Sequence, residues 1–202
     1  MYYPNGKKYH KAPSLNKHSR RQPKTIYAKR GMLLEDMLND SNAWYLSHDL
    51  AVIHKKPTPI QVVHVDYPNR QHAKITEAYY RQASTTDYNG VYQGRYIDFE
   101  AKQTKTKTRF PLNNFHDHQI KHMEKCSQQG GISFVILHFT TLSQSYLYPL
   151  SALLEDWQAF QEGQKASISL KRIKNHGYLI KIGYQPPLDY LAALDKYLQN
   201  NN

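Results

Sequence analysis

Three residues of this 202-residue chain have the types and spacing for chemistry: Asp87, Glu100 and Lys102. In an extended strand alternate side chains share a face. Across 94–103 that places Tyr96, Asp98, Glu100 and Lys102 on one side, and Ile97, Phe99 and Ala101 on the other as core. Consecutive ionisable groups on one strand face are costly to bury unless a partner neutralises them, and a divalent cation neutralises neighbouring carboxylates. Asp87 lies upstream across Asn89-Gly90, read as a tight turn that brings its carboxylate towards Glu100. Oxygen donors without paired cysteines favour Mg²⁺ or Mn²⁺ over zinc. The chemistry that follows is metal-assisted phosphodiester hydrolysis, in which carboxylates hold the metal and the lysine stabilises charge developing on the phosphate. Taken alone, Glu-x-Lys also arises on any salt-bridged surface strand.

The elements that must position these residues follow from periodicity. Apolar residues at near-helical spacing over 31–46 predict an amphipathic helix with Met32, Leu33, Met37 and Leu38 in the core. Segments 50–56 and 60–67, around Pro57 and Pro59, read as strands and 72–82 as a helix, with the region as a whole projecting like a hairpin. Strand 94–103 precedes a basic loop, KTKTRFPLNN, and a helix over 114–129 that ends at Gly130-Gly131. Segment 132–140 is an unbroken apolar strand, as in a sheet covered on both faces. A short strand over 143–150, a helix over 151–163 with Ser151 as its cap, a strand over 177–184 and a closing helix over 189–199 complete an α/β architecture around a mixed sheet.

The net charge of +11 is unevenly placed. Residues 1–30 hold nine cations and no acid, whereas the remainder holds 18 cations and 16 acids. Together with Pro4, Pro13 and Pro23 this reads as a disordered basic arm on a nearly neutral body, suited to a polyanion such as nucleic acid. The lone Cys126 excludes an internal disulfide, and no apolar run reaches membrane-spanning length. The opening residues lack the apolar stretch of a signal peptide, so a cytoplasmic protein with no membrane partner is expected. His116, His118 and His122 lack the Glu of an H-E-x-x-H pair and read as surface or phosphate-contacting groups. Tyr146, Tyr148 and Tyr178 read as core, and Cys126 as inert.

The D…(D/E)-x-K spacing is the pattern of restriction-endonuclease-like nucleases, and the match extends further. The stretches RGMLLEDMLNDSN, AVIHKKPTPIQVVHVDYP, STTDYNGVYQGRYIDFEAK and GYQPPLDYL resemble the RecU family of bacterial Holliday junction resolvases through most of the chain after residue 30. The resemblance implies a restriction-endonuclease-like mixed sheet flanked by helices with a projecting stalk around 54–80. It implies a homodimeric, Mg²⁺-dependent endonuclease that cuts four-way DNA junctions in recombination and repair, Mn²⁺ being able to substitute, with the recombinase as a further partner. It implies metal contacts at Thr85, Asp87, Glu100 and Gln119, and transition-state stabilisation by Lys102. Asp98 is an assisting carboxylate in this reading, and Glu35 an acid within reach of the site. Arg30, Lys55, Lys56, Arg70, Lys74 and Arg81 are candidate DNA contacts. The alternatives are a same-fold nuclease acting on other DNA structures and a non-catalytic protein that binds junctions or modulates the recombinase.

Overall fold

At the centre of the computed structural model two parallel strands, β5 (Arg95–Thr104) and β7 (Ile132–Phe139), lie side by side. Residues 33–69, 72–81 and 85–200 are described; the basic arm falls outside them, as do Met32, Arg30 and Arg70. Strand β7 is apolar on both faces, as parallel pairing demands, whereas β5 is apolar on one face and carries Asp98, Glu100 and Lys102 on the other.

The chain enters through α1 (Leu34–Ser47) and β1 (Ala51–Lys55), then makes an excursion through β2 (Ile60–Asp66) and β3 (Lys74–Tyr80). It returns as β4 (Tyr88–Tyr92), which runs antiparallel to β5. After β5 come a short strand β6 (Arg109–Pro111), a 3₁₀ turn (Leu112–Asn114), α2 (Asp117–Gln128) and β7. Strand β8 (Gln144–Pro149), α3 (Leu150–Gln161), β9 (Ser167–Ser169), α4 (Leu170–His176), β10 (Tyr178–Ile182), β11 (Leu188–Asp189) and α5 (Tyr190–Gln199) follow. The seven-stranded sheet has the order β1-β4-β5-β7-β8-β10-β11, and every pair except β5/β7 is antiparallel. Helices cover both faces, which is the mixed α/β class expected.

Each sheet face carries its own core. On one, Phe99 and Phe134 pack with Leu38, Tyr45 and Leu194 from α1 and α5. Tyr88, Phe99 and Phe134 stack in a row across β4, β5 and β7, with successive centroids 4.9 Å apart. On the other, Val135, Leu137 and Phe139 meet Met123, Leu153, Trp157 and Ile173 from α2, α3 and α4. Tyr146 and Tyr148 are buried as expected, and Tyr178 is half-buried.

Four local expectations are corrected. Residues 74–80 form a strand, not a helix: Ile75, Thr76, Tyr79 and Tyr80 suit an extended chain, and pairing with β2 overrides the helix formers between them. Asn89-Gly90 is not a turn but the middle of β4. Gly90 faces Ile53 and Ile97, where a Cβ would lie 2.1 Å from the Val52 carbonyl oxygen. The hairpin turns instead at Gln93 and Gly94, both at positive φ, as a two-residue I′ turn requires. Ser151 does not cap α3, which starts one residue earlier behind Pro149. Leu33 is exposed at 63%, outside the core.

β2 and β3 pair only with each other, as a ribbon separate from the main sheet, and every residue of both is exposed. Among the described residues no helix is long and apolar enough to cross a membrane.

Candidate functional site

The β4/β5 hairpin builds the site. Its register pairs Tyr88 with Phe99, so Asp87 stands opposite Glu100, and the Asp87 backbone N–H donates to Glu100 Oε2 at 3.1 Å. Strand alternation behaves as read from the sequence: Ile97 and Phe99 enter the core, while Asp98, Glu100 and Lys102 project from the opposite face. The Glu100 carboxylate is fully buried. Lys102 Nζ lies 2.8 Å from Glu100 Oε1 as an ion pair, yet that oxygen accepts no well-directed hydrogen bond. Burial and the neighbouring Asp87 push the Glu100 carboxyl up to about 7, against the pull of Lys102.

Beside this pair lies a buried polar clamp. Asp98 is fully buried and collects four partners. Lys56 Nζ and Tyr96 OH donate to Oδ2 at 2.8 and 2.9 Å, Thr86 Oγ1 donates to Oδ1 by a short bond, and His122 Nε2 lies 3.3 Å from Oδ2. Lys56 also donates from Nζ to Thr86 Oγ1 at 2.9 Å, and its backbone N–H donates to the Asp87 carbonyl at 2.7 Å. The lysine thus ties the end of β1 to the residues that lead into β4. Buried charges persist when paired and hydrogen-bonded, and here the ammonium is the partner. Asp98, His122 and Cys126 offer donor atoms within 4.8 Å of one another, but Lys56 already supplies the positive charge a metal would bring there. Cys126 is held protonated, its thiol pushed up by burial and by Asp98.

The structure brings some expected site residues together and leaves others apart. Asp87, Glu100 and Lys102 converge. Thr85 Oγ1 donates to the Thr86 carbonyl at 3.4 Å, and Gln119 Oε1 accepts the His116 backbone N–H at 3.2 Å, closing the first turn of α2. Glu35, Lys55, Asp87 and Gln103 line a cleft of about 210 Å³, in which Lys55 Nζ meets Glu35 Oε1 at 2.5 Å. Lys56 is committed to Asp98 and is no free cation for DNA, because burying that carboxylate requires it. Lys74 and Arg81 are exposed at the ribbon, where Arg81 donates to Gln61 Oε1 from two nitrogens at 3.2 Å. Sequence reasoning did not foresee the Asp98–Lys56–Thr86–His122 assembly. The only hint was Asp98 on the same strand face as Glu100.

Oxygen donors at Asp87 and Glu100, one of them a buried carboxylate oxygen lacking a directed donor, fit a hard divalent cation. A mixed sheet flanked by helices, with an Asp, a Glu and a Lys converging on its central hairpin, defines a nuclease-type α/β domain. The family model described as Recombination protein U matches residues 29–196. The chain is 55% identical over 195 residues to the Holliday junction resolvase RecU of Geobacillus kaustophilus (strain HTA426), covering 96% of each chain. It is 52% identical over 200 residues to that of Staphylococcus aureus (strain MRSA252), covering 98% of this chain and 96% of the relative. Among solved structures, the Hjc Holliday junction resolvase of Archaeoglobus fulgidus aligns with a TM-score of 0.40 at 9% identity, over 70% of this chain and 92% of that one. The chain belongs to the RecU family.

Proposed function

We propose that this protein is a divalent-metal-dependent endonuclease that resolves four-way DNA junctions by paired nicking during recombination and repair in the cytoplasm. The observation that carries the reading is the placement of Asp87 against the buried Glu100, with Lys102 2.8 Å from its carboxylate. The naming of relatives more than half identical over nearly the whole chain supports the junction as substrate. Asp87 and Glu100 would hold Mg²⁺ or Mn²⁺, with Thr85 and Gln119 as further donors once released from their present partners. Such an ion supplies a Lewis acid for a phosphoryl oxygen and a bound water of lowered pKa.

The chain's own residues do the rest. Lys102, with 22% of its side chain exposed, presents a cation to the developing phosphate charge. Glu100 fixes the Asp87 backbone through its N–H, and Lys56 fixes it through its carbonyl. Two opposed cuts call for two sites related by a two-fold axis, so the working form is a homodimer. The ribbon supports this, because Ile60, Val62, Val63, Val65, Ile75 and Tyr79 stand 40–61% exposed and leave apolar surface for a second copy or for the bases at a junction centre. Lys55, Lys74 and Arg81 are DNA contacts in this reading, as are Arg30 and Arg70 outside the described residues, and the recombinase is a further partner.

The test compares a synthetic four-way junction with a linear duplex of the same sequence, with and without Mg²⁺, for the wild type and Asp87→Ala. Symmetric nicking of the junction alone is expected, lost in the variant while binding is retained. Equal cutting of the duplex would point to a nuclease of other specificity, and tight binding without nicking under either ion would remove the enzyme.

A further inference from the structure

The basic loop after β5 is not used by the site described above. It is held on both sides: the Thr104 and Lys105 carbonyls accept from Thr140 N and Thr141 Oγ1 at 3.0 and 2.7 Å, and Arg109–Pro111 pairs with Ser167–Ser169. The Leu170 backbone N–H donates to the Thr108 carbonyl at 2.8 Å and joins the loop to α4. Between them lies a cleft of about 390 Å³ lined by Lys107, Thr108, Leu170, Lys171, Lys174 and Asn175.

Three features give this cleft a direction. Lys107, Lys171 and Lys174 line it, Lys105 and Arg109 flank it, and all five are exposed. Among the described residues none of the five has a carboxylate partner, whereas Lys121, Lys165 and Arg172 nearby are paired with Asp117, Asp156 and Glu155. No acid lines the cleft, while Thr108 and Asn175 add neutral hydrogen-bonding groups. Like charges on a fixed scaffold repel one another, and a polyanion laid across them relieves the repulsion. Position supplies the third: the loop starts at Lys105, just past the end of the strand that carries Lys102 and three residues beyond it, about 10 Å at the rise of an extended chain, or roughly three nucleotides of duplex.

We propose that this cleft is a sequence-independent phosphate track that grips one duplex arm of the substrate beyond the cleavage site. The proposal rests on the reading of the protein as a DNA endonuclease and adds a contact surface on a different part of the fold from the ribbon. Phosphate contacts of this sort fix register and orientation and leave sequence unread. The groove commits to nucleic acid rather than an acidic polypeptide because one wall, with Lys105, Lys107 and Arg109, follows directly after the strand that carries Glu100 and Lys102, and α4 sets Lys171 and Lys174 opposite it.

The test uses the full chain in the cleavage-deficient Asp87→Ala background, so that binding is measured without turnover. Junction affinity is titrated between 50 and 200 mM salt with the cleft intact and with Lys107→Ala, Lys171→Ala and Lys174→Ala combined. Each lost phosphate contact lowers the slope of log K against log salt by about 0.9. The triple variant should therefore lose roughly 40-fold less affinity across that range than the intact cleft does. A junction whose arms are trimmed short of the cleft should bind both proteins equally. Because the three lysines are exposed, an unchanged melting temperature confirms that the variant is folded. An unchanged salt slope on the long-armed junction overturns the proposal, and so does loss of poly-glutamate binding with DNA binding intact. Failure of the intact-cleft protein to bind any junction overturns the underlying nuclease reading instead.

Discussion

Glu100 is a carboxylate held where its fold does not favour its charge, and this has a measurable consequence. Its carboxyl rises from an ordinary 4.5 to about 7, mainly because it is fully buried. The folded chain then keeps a proton through a pH range in which the unfolded chain has lost it. Stability from this group is present below pH 4.5 and falls as pH climbs towards 7. At ~1.4 kcal/mol per unit, the ionised carboxylate costs about 3 kcal/mol at pH 8 and under about 1 kcal/mol at pH 5. Glu100→Gln removes the charge and keeps the shape. With metal chelated, urea unfolding should show the variant about 3 kcal/mol more stable than wild type at pH 8, with the gap nearly closed at pH 5. Excess Mg²⁺ should close most of that gap by stabilising the wild type, by ~2.7 kcal/mol at a hundredfold excess over its dissociation constant, while leaving the variant unmoved. Junction cleavage should be lost throughout. A variant less stable than wild type at pH 8, or a gap independent of pH, would refute the claim that Glu100 is destabilised by its site.

Two further outcomes follow from the packing around the site. Lys56→Met strands the buried Asp98 carboxylate and should cost about 2 kcal/mol or more, and the loss should shrink when Asp98→Asn is already present; a double-mutant cycle in urea measures it, and full additivity would deny the pairing. Gly90→Ala drives a methyl group into the β1 backbone, 2.1 Å from the Val52 carbonyl oxygen and 2.6 Å from Ile53 Cα. Because backbone cannot yield there, the cost should exceed about 3 kcal/mol and appear as a large fall in melting temperature, even though glycine inside a strand is ordinarily the weaker residue.

The carboxylate-lysine face of β5 was legible because period-two alternation survives burial on both sides of a sheet. The juxtaposition of Asp87 and Glu100 was also expected, but through a turn in the wrong place. A turn at Asn89-Gly90 would set Asp87 opposite Tyr92, whereas the turn at Gln93 and Gly94 sets it opposite Glu100. Asn-Gly is a strong local turn signal, and it lost to a long-range fact: β1 passes so close to β4 that only glycine fits at position 90. Strand β3 was hidden for a similar reason, since Lys74, Glu77 and Ala78 favour a helix and only the partner strand imposes extension. The role of Lys56 was invisible because its partner lies 42 residues away in the chain. Helix α4 is short, and it forms because β9 and the 105–109 loop hold its start.

The ribbon has a closed neck. Lys55 pairs with Tyr88, and Lys56 bonds the Asp87 carbonyl, so the chain leaves and re-enters the nuclease sheet at adjacent points. Once such a neck is closed, the length of what lies beyond it has little thermodynamic weight: doubling a loop costs only ~0.6 kcal/mol. The excursion is therefore a cassette, free to lengthen, shorten or be exchanged over evolution without re-registering the sheet. Its root, however, is Asp87 itself. Whatever load the ribbon takes up on a bound substrate is delivered through two hydrogen-bonded strands to the carboxylate proposed to hold the metal, which makes the cassette a lever as well as a grip.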